Sequence, residues 1–341
     1  MDYEKQYALA AKSRAIYGSR ITSYEYLELS RKQSVGQVVA ELKKTARYKN
    51  AMRQISESRA HRGQIELIVE KTVFDIYLRL FRFMAEDANG FGGFLIRKKE
   101  IEVILNTAML INSGDIDRII ACLPLYLSGY LSFDLTAFAG IKNYDDLLKI
   151  LKDTKYQRHL KALADTRNQD FNLDGFAVNI YGEHYYSLLK LIESRYKGEL
   201  KKKLRDIIVR EITLLNWSSA YRMKTMFNTQ NDEIIKLLIP GGKRGEISEM
   251  IYDVNPENTM TKYLRSKLLK DNNEIGESKD MLIRKASYRY FKKELTTSGY
   301  GIIVMYSLIR LLEFEQQNIT TVIEGVRYSL PSYEIEKMIV S

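Results

Sequence analysis

Cysteine, proline, tryptophan and histidine are nearly missing from these 341 residues, at one, four, one and three copies. A single cysteine, Cys122, rules out an intramolecular disulfide and a thiolate cluster around a metal. Placed in an apolar run, it reads as a small buried hydrophobe. Prolines stand only at 124, 240, 256 and 331, so long stretches keep every backbone donor and helices can continue for many turns. The histidines, His61, His159 and His184, are far apart and flanked by residue types of a helix surface. No two of them are four apart, which excludes a His-Glu-x-x-His zinc motif.

Long hydrophobic runs are also lacking. The longest window without a charged residue, 119–133, contains Pro124 and Gly129 and is shorter than the ~20 apolar residues that a membrane-spanning helix needs. The opening Met1-Asp2-Tyr3-Glu4-Lys5 is polar where a secretory signal has a basic and then an apolar stretch. The expectation is a cytoplasmic protein whose contact with membranes is peripheral.

What is present is helical spacing. Ile65, Ile68, Val69, Val73, Ile76, Leu80, Phe83 and Met84 recur at intervals of three and four, as do Tyr185, Leu188, Leu189, Ile192 and Tyr196. From Gly301 to Leu312 nearly every position is apolar, the pattern of a helix enclosed by others. Ser23, Ser34 and Asn143 are candidate N-caps, and Asn255-Pro256 fits a cap followed by proline at the first helical position. Turn-rich loops fall at 87–93, 114–115, 168–174, 241–245 and 271–276. No period-two alternation is long enough for a sheet, so the expected class is all-α. Charged residues at 28% and apolar ones at 45% fit a soluble chain with a sizeable core.

The chain also repeats itself. Ile21-Thr22-Ser23-Tyr24-Glu25 returns as Leu330-Pro331-Ser332-Tyr333-Glu334, residue 330 against residue 21, a displacement of 309. Leu42-Lys43-Lys44-Thr45 returns as Leu151-Lys152-Asp153-Thr154, displaced by 109, and Lys99-Glu100-Ile101 as Arg210-Glu211-Ile212, displaced by 111. The stretch from Glu211 through Asn216 returns as Glu313 through Asn318, displaced by 102. The organisation expected is three helical copies, 1–98, 99–209 and 210–312, with a partial fourth copy, 313–341, that completes the first in a closed pseudo-threefold arrangement.

Chemical motifs are absent. Gly241-Gly242-Lys243-Arg244-Gly245 lacks the preceding strand, the glycine spacing and the Lys-Ser/Thr of a phosphate-binding loop, and reads as a flexible turn. No nucleophile elbow, calcium loop or acid–base pair stands out. Neither a cofactor nor a metal site is expected. Glu211, Asn216, Glu313 and Asn318 are polar residues within apolar helices, and each needs a partner if buried; Asn216 and Asn318 are expected to hydrogen-bond between helices and fix their register. The excess of 53 basic over 43 acidic residues, net +10, favours an anionic partner. Arg97-Lys98-Lys99 and Lys201-Lys202-Lys203 are the candidate basic interface. Tyr288-Arg289-Tyr290-Phe291-Lys292-Lys293 has the interleaving of a nucleic-acid surface, but on a helix its aromatics belong in a core.

Taken in order, these segments resemble the C-type subunit of the bacterial and archaeal V/A-type ATPases, the counterpart of the d-type subunit in vacuolar ATPases. The resemblance is carried by Tyr7-Ala8 through Tyr48, by Lys142 to Thr154, by Glu211-Ile212 through Asn216, and by Glu313 through Pro331. It departs from the family where Leu9 and the Val103 region take the place of the asparagine, and at Met223-Lys224. The resemblance implies a funnel-shaped, all-helical, non-catalytic coupling subunit on the cytoplasmic face of the proteolipid ring. Its partners would be that ring, central stalk subunits of D and F type, and the membrane stator subunit, in a complex that moves protons or sodium. Neither nucleic acid nor a small-molecule substrate is implied. A basic all-α nucleic-acid-binding scaffold and an α-helical enzyme are the alternatives from other classes.

Overall fold

The computed structural model describes residues 3–84, 90–164, 173–267 and 278–341. Of the loops expected at 87–93, 168–174 and 271–276, residues 87–89, 168–172 and 271–276 lie outside the described residues, while Leu173 and Asp174 are helical. Among the described residues the chain forms α-helices and short 3-10 turns, with no strand. In chain order the helices are α1 (Tyr3–Gly18), α2 (Ser23–Ser30), α3 (Val35–Leu42), α4 (Arg62–Phe81), α5 (Gly93–Ser113), α6 (Arg118–Cys122), α7 (Tyr144–Ile150) and α8 (Gln157–Ala164). They continue with α9 (Leu173–Arg195), α10 (Gly198–Thr225), α11 (Asn231–Lys236), α12 (Gly245–Tyr252), α13 (Pro256–Lys267), α14 (Lys279–Thr297), α15 (Gly301–Arg327) and α16 (Ser332–Lys337).

The chain divides into two compact units. One joins Met1–Ala85 to Leu264–Ser341; the other is the continuous stretch Glu86–Tyr263, which ends within α13. The cut at 263/264 falls inside the stretch 210–312 that the repeats delimit.

In the first unit α15 is the central helix, packed against α1, α4 and α14. Ile302, Ile303, Val304, Met305, Tyr306 and Leu308 are all buried, as expected of a helix apolar on every side. Each such aliphatic side chain contributes ~1.5–3 kcal/mol relative to leaving it in water. Gly301 makes the packing on α1 possible, because a Cβ there would collide with the carbonyl of Gln6. Tyr288 and Phe291 of α14 are buried too, so two of the three aromatics of that basic segment belong to the core, and Tyr290 is half-buried.

The short helices start where the sequence places them, with one shift. Ser34 and Asn143 cap α3 and α7. At α2 the cap is Thr22 rather than Ser23. Its hydroxyl accepts from Glu25 N at 3.2 Å while the Glu25 carboxylate accepts from Thr22 N at 2.7 Å, a reciprocal capping box that satisfies two free amides.

Two further expectations are corrected. Cys122 is exposed at the last residue of the short α6, although Ile119 of the same helix is buried. His184 is buried rather than on a helix surface. It stacks on Phe94 with ring centroids 4.0 Å apart, on the inner face of α9.

Candidate functional site: buried polar anchors

Three carboxylates are buried among the described residues, Glu100, Glu211 and Glu315. Each accepts a hydrogen bond from a tyrosine hydroxyl. Tyr48 donates to Glu315 at 2.9 Å, Tyr156 to Glu100 at 2.5 Å and Tyr185 to Glu211 at 2.9 Å. A buried charge is tolerated only when it is paired and hydrogen-bonded.

Glu315 has the fullest set of partners. Its other oxygen accepts from the backbone N–H of Ile21 at 3.0 Å. Arg47 places Nε 2.7 Å from Oε1 as an ion pair with both side chains buried, and donates from Nη2 to the carbonyl of Ile16 at 2.9 Å. Burial raises the pKa of Glu315, against the opposing pull of Arg47. Burial, and then the neighbouring Glu315, hold the hydroxyls of Tyr48 and Tyr26 well above their ordinary range. A cavity of about 20 Å³, room for one water molecule, lies against Glu315, Arg47, Tyr26 and Asn318.

Glu100 repeats the arrangement in the second unit. It accepts from Ser132 N at 2.5 Å, as Glu315 does from Ile21. Where Arg47 precedes Tyr48, Lys155 precedes Tyr156, and its ammonium lies 4.9 Å from the Tyr156 ring centroid. Burial lowers its pKa to about 8, with Glu100 opposing. A third backbone amide, Lys243 N, is held not by a carboxylate but by the hydroxyl of Thr213, at 2.9 Å. The three amides belong to residues 21, 132 and 243, two equal steps of 111. In the same unit Tyr263 stacks on Trp217, ring centroids 4.4 Å apart.

Asn216 and Asn318 hold backbone as well. Asn216 donates to Ile239 O and accepts from Ile239 N, both at 2.8 Å. Asn318 does the same to Val340, at 2.7 and 3.1 Å. Both asparagines are buried, and the partner in each case is the segment after a short helix, α11 or α16. Glu313 is not the carboxylate at the centre of a cluster; it pairs with Arg310 on its own helix, while Glu315, two residues on, points inward.

The loop at 241–245 is docked. Gly241 has φ 99°, open to glycine but strained for other residues. A Cβ on Gly242 would lie 3.0 Å from Ile212 Cγ2 and 3.2 Å from Asn216 Nδ2. The Gly-Gly pair therefore lets the chain lie against α10, where Thr213 and Asn216 take its backbone groups.

The candidate basic runs are partly neutralised. Arg97, Lys98 and Lys99 sit half-buried at the start of α5, and Lys99 pairs with Glu102 at 2.6 Å. Lys201, Lys202 and Lys203 open α10, where Glu193 takes Lys201 at 2.6 Å and Arg205 at 3.5 Å. The two runs stand on different helices. Among the described residues no helix is long and apolar enough to cross a membrane, and no group of His, Cys, Asp and Glu has the geometry to hold a metal.

Sequence reasoning singled out Glu211 and Asn216 but missed Tyr48, Tyr156, Arg47 and Glu315. The echo Thr45-Ala46-Arg47-Tyr48 and Thr154-Lys155-Tyr156 carries the signal, blurred by the one-residue difference in spacing. No curated protein matches the chain. Residues 9–338 match the family described as ATP synthase (C/AC39) subunit, so the chain belongs to that family of V/A-type ATPase subunits.

Proposed function

We propose that this chain is the non-catalytic coupling subunit of a rotary V/A-type ATPase, standing between the central stalk and the proteolipid ring on the cytoplasmic face of the membrane. The D- and F-type stalk subunits and the ring are its partners, and the stator subunit is a further contact. The transported ion is a proton or sodium. The observation that carries this reading is the family match over nearly the whole chain. In agreement with a transmitting part, the three buried carboxylates are all engaged by tyrosines of the chain itself. They hold the interior of each unit together.

The closed threefold arrangement, with copies 1–98, 99–209 and 210–312 and a completing segment 313–341, belongs to the same proposal. So does the funnel shape that the family resemblance implies. It is supported by the equal steps between the amides of Ile21, Ser132 and Lys243, by the matched Asn216–Ile239 and Asn318–Val340 pairs, and by the packing of α16 on α2.

The test is biochemical. The tagged chain, pulled from detergent-solubilised membranes, should bring proteolipid and stalk subunits with it. Membranes lacking it should hydrolyse ATP without moving ions, and the purified chain should not turn over ATP. Fully coupled transport in its absence would overturn the proposal.

A further inference from the structure

The net charge of +10 is unevenly placed. The unit made of 1–85 and 264–341 holds 28 Lys and Arg against 19 Asp and Glu, a net +9. The unit 86–263 holds 25 against 24, a net +1. Much of the excess lies in one stretch, 43–62, with seven basic residues and one acid, Glu57.

Local folding turns four of these seven cations outward, Lys44, Lys49, Arg53 and Arg59, and buries Arg47 against Glu315. After α3 the chain makes successive turns, with Lys49 N bonded to Thr45 O at 3.1 Å and Met52 N to Tyr48 O at 2.9 Å. Tyr48, Met52 and Ile55 face the core, so Lys49 and Arg53 face solvent, and Arg59 is exposed on the 3-10 turn Glu57–Arg59. Lys43 and Lys44 are matched by Glu57 and Glu41. No ion pair is found among the described residues for Lys49, Arg53 or Arg59. The stretch carries none of the chain's large exposed apolar side chains.

We infer that Lys49, Arg53 and Arg59 form a contact surface for anionic phospholipid headgroups. This inference rests on the coupling-subunit reading, which places the chain beside a bilayer. A protein partner would want a buried aromatic or aliphatic anchor in a pocket, and a single-stranded nucleic acid would want stacking platforms. The stretch offers neither. A spread of cations over a polar surface suffices for headgroups, at ~1 kcal/mol for each basic residue near the membrane.

The test uses the full chain and flotation with vesicles of phosphatidylcholine, with and without phosphatidylglycerol. Binding should require phosphatidylglycerol and weaken as salt is raised, because exposed charges are screened. The variant K49E/R53E/R59E, with its melting temperature unchanged, should bind at least about tenfold more weakly. The charge-matched variant K201E/K202E/K203E should bind much as the unaltered chain does. Equal losses in the two variants, or none in the first, would overturn the assignment. Recovery of the proteolipid ring with the same variants separates the two claims. Vesicle binding as expected with no ring recovered would sink the coupling role and leave the surface standing.

Discussion

Tyr48 and Glu315 stand 267 positions apart in the chain and share a buried hydrogen bond of 2.9 Å. The bond ties the turn after α3 to the central helix α15. Removing one partner of such a bond leaves a buried acceptor short of a donor, at ~1–3 kcal/mol. Tyr48→Phe should therefore lower the unfolding free energy by about that amount, read from urea denaturation. Arg47→Met should cost more, ~3–5 kcal/mol, since it leaves a buried carboxylate without its cation. Equal stability of both variants with the unaltered chain would remove Glu315 from its place as an anchor.

Asn216→Leu and Asn318→Leu each delete two backbone contacts at once, to Ile239 and to Val340. Each should destabilise by at least ~1–3 kcal/mol, and the two losses should be similar in size. An unchanged melting temperature in either would mean that water replaces the side chain without loss.

His184 predicts a pH effect. Burial first, and then Lys155, Arg97 and Lys98, hold its pKa well below the ordinary value. The unfolded chain therefore binds a proton that the folded chain refuses. The stability contributed by the neutral ring is complete above the unfolded value of about 6.5 and is lost as pH falls below it toward the folded value. Melting curves at successive pH values should show His184→Phe losing less stability on acidification than the unaltered chain. Parallel curves would count against it.

Gly36 lies so close to the backbone carbonyl of Glu57 that a Cβ would collide with it. Backbone cannot yield as a side-chain end can, so Gly36→Ala should cost ~1–3 kcal/mol. Because Glu57 lies within the basic stretch, vesicle binding by this variant should fall only as far as its folded fraction does.

The helices were legible because their apolar spacing is strong and prolines are few, and the enclosed position of α15 followed from Gly301 to Leu312 alone. Asn216 and Asn318 stood out as polar residues in apolar surroundings. Their partners did not, since a backbone peptide after a short helix has no sequence signature. Glu313 drew notice by the register of the repeat, whereas burial selects Glu315, and a displacement of 102 cannot tell two glutamates on one helix apart. His184 and Cys122 were misplaced for a common reason: flanking residue types do not report which face of a helix a position occupies. Contiguous runs such as Lys201 to Lys203 catch the eye, yet Lys201 is paired with Glu193, whereas Lys49, Arg53 and Arg59, spaced along turns, have no ion pair among the described residues.

The first unit is made from the two far parts of the chain, residues 1–85 and 264–341. This sets an order on synthesis. When residue 85 has left the ribosome, the core residues Ile21, Tyr26, Val38 and Leu42 have no α15 to cover them, and Arg47 has no carboxylate. The stretch 86–263 is contiguous and can complete its own contacts first, as domains generally do during translation. The opening segment must wait, with apolar surface uncovered, until the last residues arrive. Chaperone dependence should therefore track the interval between the two halves of this unit, and slowing translation within 86–263 should prolong the exposure.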